Sequence, residues 1–448
     1  MVDSSQKGKV LLLHRTIYGL KQAAHEFWSL LSGTFKSLGY QAADASSCLW
    51  VKHLNGETCI ACHHVDDCAV TASCDAIAFE LRDALQKRYG ITDGGELTFH
   101  LGMNVAIKRR EYACISQGHY IRAIAARFGM ATATSVPTPM VDGNRISLDD
   151  SPEAVDEELR QTYMEMVGSL NYVSYMTRGD IAYACSQLGT VLQRPGPAHI
   201  AAAKRVIRYL IGTQDLGLVY RADPWTPPGF DHPIKGHEVI GFTDADWAGE
   251  FDSRLSTTCY LTFMASGPIS WKARKQKVHA ASSAESELIA MTGGARDIMY
   301  VRATLANLGI FAQSKPTILM SDSSAAIAIA DKPGMREKTK HIALRYFQVR
   351  ELQRTGVVKV CKIGTDYNPA DIGTKALGPV TFHRHLSVLV GKNPGKLGEG
   401  GSAMSKEPKK GGVGNASKSG NETGSASDPV VAAIAQLESA VWQIVRRR

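Results

Sequence analysis

The chain has 448 residues, 44% of them hydrophobic and 21% charged. Those proportions suit an ordinary globular protein of two or three domains, and they exclude a wholly disordered, collagenous or disulfide-framework chain. The net charge of +8 permits a polyanionic partner without requiring one, and no apolar run approaches the ~20 residues of a membrane span.

The opening stretch MVDSSQKGKVLLLHRTIYG holds only a four-residue apolar run, too short for a secretory signal. The expectation is therefore an intracellular protein, cytoplasmic or nuclear, with no membrane partner. The nine cysteines are scattered and odd in number, which reads as reduced thiols. Sequons at Asn415 and Asn421 carry no meaning without a secretory route.

In GLKQAAHEFWSLLSGTFKSLGY, residues Ala23, Phe27, Leu30, Leu31, Phe35 and Leu38 fall at helical spacing, with Gly39 as the stop. SCLWVKHLNGETCIACHHVDDCAVTA then reads as strand, Asn-Gly turn, strand, tight turn at Asp66-Asp67, strand. Residues 75–90 look helical. Residues 91–220 are mixed and end in the helix AHIAAAKRVIRYLIGT, with Lys204, Arg205 and Arg208 on its polar side. RADPWTPPGFDHPIKGH, 221–237, is rich in Pro, Gly and charge and reads as a linker. Beyond residue 391 a Gly/Ser/Lys-rich stretch to 427 lacks the apolar content to order itself. Residues 428–448 suit one amphipathic helix, with Asp428 as N-cap, Pro429 at N1 and three arginines at the end.

Three chemistries compete for CIACHHVDDCAV. CIACH fits a c-type haem attachment, but no targeting segment accompanies it. Cys59, Cys62, His63 and His64 could form half of a zinc site, but no second ligand pair stands at metal-site spacing. The third is a hairpin tip presenting Asp66 and Asp67 to a pair of divalent metals about 4 Å apart. Hard oxygen ligands suit magnesium, and magnesium brings nucleotide phosphates.

A second set of acids follows the linker. EVIGFTDADWAG is an apolar strand with Asp244 and Asp246 on one face. STTCYLTFMASGPISWKAR reads as two strands turning at Ser-Gly-Pro. ASSAESELIAMTGGARDIMYVRATLANLG is a long amphipathic helix. PTILMSDSSAAIAIA is a buried strand ending in Asp322, then a helix, and NPADIGTKAL opens a last helix with Asp371 in its first turns. Ser282 and Glu285 form a capping-box pattern, which leaves Glu287 as the acid of this helix free to face a site. Residues two apart on a helix point about 200° apart, so Glu285 and Glu287 cannot both face one site.

LHRTIYGLKQAAHEFWSLLSGTFKSLGYQAADASSCLW, together with GGELTFHLGMNV, VPTPM, YMEMVGSLNYVSYMTRGDIAYA and the DADWAG…STT run, resembles copia-type LTR retrotransposon Pol polyproteins from about residue 10 to 390. The resemblance implies an α/β chain: a reverse-transcriptase palm remnant at 1–90, a thumb or connection region at 91–220, and a ribonuclease H-like mixed sheet with flanking helices at 238–390. It implies metal ligation by Asp66 and Asp67 at the polymerase turn, where His64 replaces the family's usual tyrosine. It also implies ligation by Asp244, Glu287, Asp322 and Asp371 in the ribonuclease H site, which holds two Mg2+ ions. The family's third palm aspartate has no counterpart here, since Asp3 and Asp44 lie in unsuitable settings. The expectation is a chain that hydrolyses RNA in RNA/DNA hybrids and has lost RNA-directed DNA polymerase activity. A degenerate, non-catalytic nucleic-acid-binding remnant is the alternative. Because all four acids follow the linker, one domain is expected to hold the whole site, with Lys272 to Lys277 and Lys338, Lys340 and His341 as backbone contacts to nucleic acid.

Overall fold

A computed structural model describes residues 16–17, 19–43, 48–221, 223–231, 233–310, 315–331, 343–394 and 440–446. Expectations for Asp3, Asp44, Lys338, Lys340, His341 and most of the Gly/Ser/Lys-rich tail lie outside them. The chain divides into two compact units, 1–96 with 436–448, and 97–435.

In the first unit, helix α1 (Ala23–Ser37) buries Leu31 and Phe35. Phe35 stacks on Trp50 at 5.1 Å and meets the Tyr40 edge at 5.4 Å. Strands β1 (Gln41–Ala42), β2 (Leu49–Leu54), β3 (Glu57–His64) and β4 (Asp67–Ala72) pair antiparallel in that order. Asn55 and Gly56 both take positive φ, the conformation that a two-residue hairpin turn matched to strand twist requires. Helix α2 (Asp75–Tyr89) places Ile77, Ala78, Leu81 and Leu85 against this sheet, and β5 (Ile91–Glu96) follows.

The second unit begins with a meander, β6 (Phe99–His100), β7 (Met103–Lys108) and β8 (Tyr112–Ser116), and four helices: α3 (Gly118–Arg127), α4 (Glu157–Met176), α5 (Ala182–Leu188) and α6 (Pro197–Gly212). Strand β9 (Leu216–Arg221) returns to pair with β8. Next come β10 (Ile240–Asp246), β11 (Thr257–Met264), β12 (Gly267–Lys275), α7 (Ser283–Asn307), β13 (Thr317–Ser321), α8 (Ser324–Asp331), α9 (Ala343–Arg354), β14 (Val358–Lys362), α10 (Pro379–Leu389) and β15 (Gly391–Lys392). The larger sheet has the order β12-β11-β10-β13-β14. Its first three strands are antiparallel, while β13 and β14 run parallel to β10. No helix among the described residues is long and apolar enough to cross a membrane.

Several boundaries differ from those expected. The first unit closes at Glu96, not at residue 90. The stretch 221–237 is not a free linker: Trp225 and Ile234 form an antiparallel bridge, and Trp225 stacks on Phe263 of β11 at 5.5 Å. One hydrophobic core runs through both halves of the second unit, from Ile121 through Leu170 and Tyr209 to Phe242, Phe263 and Phe382. Pro and Gly punctuate the chain there, but the aromatic and aliphatic residues between them are buried. Gly391 and Lys392, placed in the tail by composition, pair with Gly217 and Leu216 as β15.

The hairpin turn at the paired aspartates is Val65-Asp66, since His64 pairs with Asp67. The β11–β12 turn is Ala265-Ser266, both at positive φ. Finally, the terminal helix is corrected over its last part. Ala440–Arg446 forms strand β16, which pairs antiparallel with β4 and β5 and makes the first sheet six-stranded. AVWQIV is rich in β-branched and aromatic residues, and pairing satisfies backbone groups along two strands that would otherwise be edges.

Candidate metal centre

The site is built at the ends of two adjacent parallel strands. Thr243 of β10 pairs with Ser321 of β13, so Asp322, the first residue after β13, comes out beside Asp244, which is still paired with Cys259 of β11. Gly241 and Gly294 allow α7 to lie close against one face. A Cβ on Gly294 would stand 2.6 Å from Thr243 Cγ2, and one on Gly241 would stand 2.8 Å from Ile298. Thr243 therefore faces α7, and alternation turns Asp244 to the opposite face.

On that opposite face lies a short 3-10 turn, Pro369–Gly373, that carries Asp371. It is not the start of the last helix, as expected from NPADIGTKAL; α10 begins only at Pro379. Asn368 pins this turn to the strand: its Nδ2 donates to the Thr243 carbonyl at 2.9 Å while its Oδ1 accepts from Ala370 N at 3.2 Å. Gly373 meets Cys259 so closely that a Cβ would be 2.3 Å from its Sγ. The Thr374 hydroxyl donates to Asp244 Oδ2.

Glu287 comes from the first turns of α7. Ser282 caps that helix by accepting from Glu285 N at 3.2 Å, and the Glu285 carboxylate reaches back to Ala281 N at 2.7 Å. Glu285 is thus held at the helix end, and Glu287 is buried toward the strands. Oxygens of Asp244, Glu287 and Asp322 all lie within 4.8 Å of one another. Asp371 adjoins this group, and its Oδ1 is 3.0 Å from Lys375 Nζ.

Burial and mutual repulsion dominate the electrostatics. Asp244 is 4% exposed, Glu287 8% and Asp371 5%. Burial, followed by the charge of Asp371, pushes the Asp244 carboxyl up to about 7. Burial, then Asp244 and Asp322, pushes Glu287 up to about 9. Asp371 is also raised, by burial against the pull of Lys375. Glu287 Oε2 and Asp322 Oδ1 are buried without any hydrogen-bond partner. Such orphaned acceptors in a crowd of acids are costly unless a cation fills the space. A divalent ion with a preference for hard oxygen ligands fits this donor set, with Asp244, Glu287 and Asp322 as the residues that would hold it.

Asp246, at the end of β10, is half-buried and its carboxyl is raised by burial. In the first unit, Asp66 is exposed at the hairpin tip and Asp67 is half-buried at the start of β4. Val65 between the strands takes φ +55°. A β-branched residue there is strained, and strain of this kind concentrates at functional sites. Among the described residues no third acid joins Asp66 and Asp67 in a metal-binding group. The Cys59–His64 run lies along β3, with Cys59 and His63 buried while Cys62 and His64 are exposed. Its ligand types are thus split between opposite faces and do not converge. Sequence reasoning missed Lys375, Thr374 and Asn368. The only signal for the first two was their spacing three and four residues after Asp371.

A family model described as reverse transcriptase (RNA-dependent DNA polymerase) matches residues 1–142. The chain is 32% identical over 379 residues to the retrovirus-related Pol polyprotein from transposon TNT 1-94 of Nicotiana tabacum, covering 84% of this chain and 28% of that protein. It is 29% identical over 391 residues to the Pol polyprotein from transposon RE1 of Arabidopsis thaliana, covering 87% and 25%, and 30% identical over 383 residues to that from RE2 of the same plant, covering 85% and 25%. The chain thus spans about a quarter of the length of these curated relatives. Residues 1–142 thus match the reverse transcriptase family, and over most of its length the chain is similar to copia-type retrovirus-related Pol polyproteins.

Proposed function

We propose that the second unit is a ribonuclease H that cleaves the RNA strand of RNA/DNA hybrids inside the cell, with Asp244, Glu287, Asp322 and Asp371 as its acids and Mg2+ as its cofactor. The observation that carries this reading is the three-acid group within 4.8 Å, with two buried carboxylate oxygens left without partners. Two bound Mg2+ ions would supply an activated water and a charge to stabilise the leaving 3′ oxygen. The protein's part is placement. Thr374 fixes the orientation of Asp244, the Asn368-pinned turn holds Asp371 beside it, and the capped α7 presents Glu287. Lys375 offsets part of the negative charge next to Asp371. The one thiol in this group, Cys259, is raised well above the usual range by burial and then by Asp244 and Asp371. It stays protonated and is no nucleophile.

The test is incubation of the full chain with end-labelled RNA/DNA hybrid, single-stranded RNA and duplex DNA in Mg2+. Cleavage confined to the RNA of the hybrid is expected. Binding of hybrid with no cleavage under any divalent ion would instead favour the non-catalytic remnant.

Among the described residues the hairpin tip offers Asp66 and Asp67 alone, so this chain is expected to show no extension of a primed template in Mg2+ or Mn2+. Extension abolished by Asp66→Asn would overturn that expectation.

A further inference from the structure

We propose that Arg145, which lies outside the nuclease-like sheet, grips a backbone phosphate of the nucleic acid at the rim of the acid cluster, with Arg254 as a second contact. The proposal rests on the hybrid-cleaving reading and adds a binding element from the region preceding that sheet.

The segment carrying Arg145 is anchored on both sides. Ser147 Oγ donates to Asp252 Oδ1 at 2.7 Å, and Leu148 N donates to Asp252 Oδ2 at 2.9 Å. His199 Nδ1 accepts from Gly196 N at 2.8 Å, so its Nε2 carries the proton and donates to the Ser147 carbonyl at 2.9 Å. Ile146 and Ser147 are buried, while Arg145 is exposed. A residue on so fixed a backbone has a defined reach.

The side chain has a resting place but no counter-ion. Its guanidinium lies 5.5 Å over the ring of Phe251, itself 47% exposed. It forms no ion pair among the described residues, and neither does exposed Arg254. A cation over an aromatic face is held at low cost and stays available to an anion. Phe251, Asp252 and Arg254 all lie in the loop that follows β10, and Gly249 of that loop sits so close to Asp246 that a Cβ there would overlap the Asp246 carboxylate. After burial, the charges of Asp246 and then Arg145 both act on the Tyr183 hydroxyl of α5. Both guanidinium groups thus stand at the loop that leaves the strand carrying Asp244. A phosphodiester chain fits that pattern, with the scissile phosphate over the acids and a neighbouring phosphate on the rim. A guanidinium fork binds phosphate oxygens in a bidentate way that an ammonium cannot match.

The test uses the full chain and a fluorescent RNA/DNA hybrid. Affinity is first measured in EDTA across a salt series, then KM and kcat for cleavage in Mg2+. For Arg145→Gln the expected results are a Kd and KM raised about 5- to 20-fold and kcat within about twofold of the parent. The salt slope should become shallower by about 1, as loss of a single phosphate contact requires. Arg145→Lys should restore the slope but only part of the affinity. Asp252→Ala, which releases the anchored segment, should reproduce the rise in Kd with Arg145 intact. Unchanged Kd and slope in Arg145→Gln would overturn the proposal, as would a fall in kcat at constant Kd. A loss of binding accompanied by a lowered melting temperature, with no rescue by lysine, would show a structural role and overturn it too. If the parent chain binds hybrid but cleaves nothing, the nuclease reading fails, while the EDTA binding series still decides the role of Arg145.

Discussion

Asp244→Asn should abolish cleavage and, in the metal-free protein at pH 8, raise the melting temperature. The two effects share one cause. Asp244 is buried among Glu287, Asp322 and Asp371, and its carboxyl is pushed up to about 7. An acid in the unfolded chain titrates near 3.9. Between those values the folded protein keeps a proton that the unfolded chain has released, so stability falls as pH rises from about 4 to about 7. Glu287, pushed up to about 9, extends the decline to that pH. Asparagine removes the charge, keeps the shape, and can still accept from Thr374. The variant should therefore match the parent near pH 4 and gain on it up to pH 7. Above that the advantage should hold at on the order of 1–4 kcal/mol. Added Mg2+ should raise the melting temperature of the parent and leave the variant nearly unmoved. Cleavage should fall on the order of a thousandfold, about 4 kcal/mol of transition-state stabilisation. Calorimetry at pH 5 and pH 8 with and without Mg2+ checks the stability part. Destabilisation of equal size at both pH values would mean that the acid is structural.

The second large effect concerns where the chain can be cut. A fragment spanning 236–390 should fail to fold, and one spanning 97–394 should fold. Phe242, Leu261, Phe263, Phe382, Leu386 and Leu389 belong to a core completed by residues 121–234. Tyr209 of α6 meets Phe382 edge-on at 5.5 Å, and Trp271 Nε1 donates to the Ser174 carbonyl of α4 at 2.8 Å. Re-exposing six large side chains at about 1.5–3 kcal/mol each costs about 9–18 kcal/mol, which matches the whole stability of a typical domain, about 5–15 kcal/mol. Starting at 236 also removes β9, the strand that pairs with β8 and β15. The short fragment should bind ANS and show no cooperative melt, while the long one shows a single sharp transition. A cooperative melt from 236–390 would contradict the shared core.

The acids could be found in the sequence because each sits in a strongly patterned element. Asp244 interrupts an apolar strand, Glu287 follows a capping box, and Asp322 ends a buried strand. The α7 cap formed by Ser282 and Glu285 is the kind of local contact that a four-residue pattern encodes. What escaped notice depends on contacts distant in sequence. Residues 221–237 look like a linker because Pro and Gly dominate their composition, yet Trp225 and Ile234 are placed by pairing with each other and by Phe263. The last residues look helical in isolation, and β16 exists only because β4 and β5 offer partners. Asp371 was expected in a helix, but Asn368 and the close approach of Gly373 to Cys259 hold it in a 3-10 turn. Arg145 gave no signal at all, since nothing in its own segment reveals that Asp252, more than a hundred residues later, anchors that segment to the loop after β10.

The most direct test of the central claim is a single-turnover cleavage assay. The full chain and its Glu287→Gln variant are each mixed in excess with hybrid labelled on the RNA strand, in Mg2+ and in Ca2+. The account expects RNA fragments ending in 3′-hydroxyl groups from the parent in Mg2+. It expects almost none in Ca2+, whose looser coordination disfavours in-line displacement, and almost none from the variant in either ion. Equal cleavage by parent and Glu287→Gln, or none by the parent in Mg2+ despite bound hybrid, would contradict it.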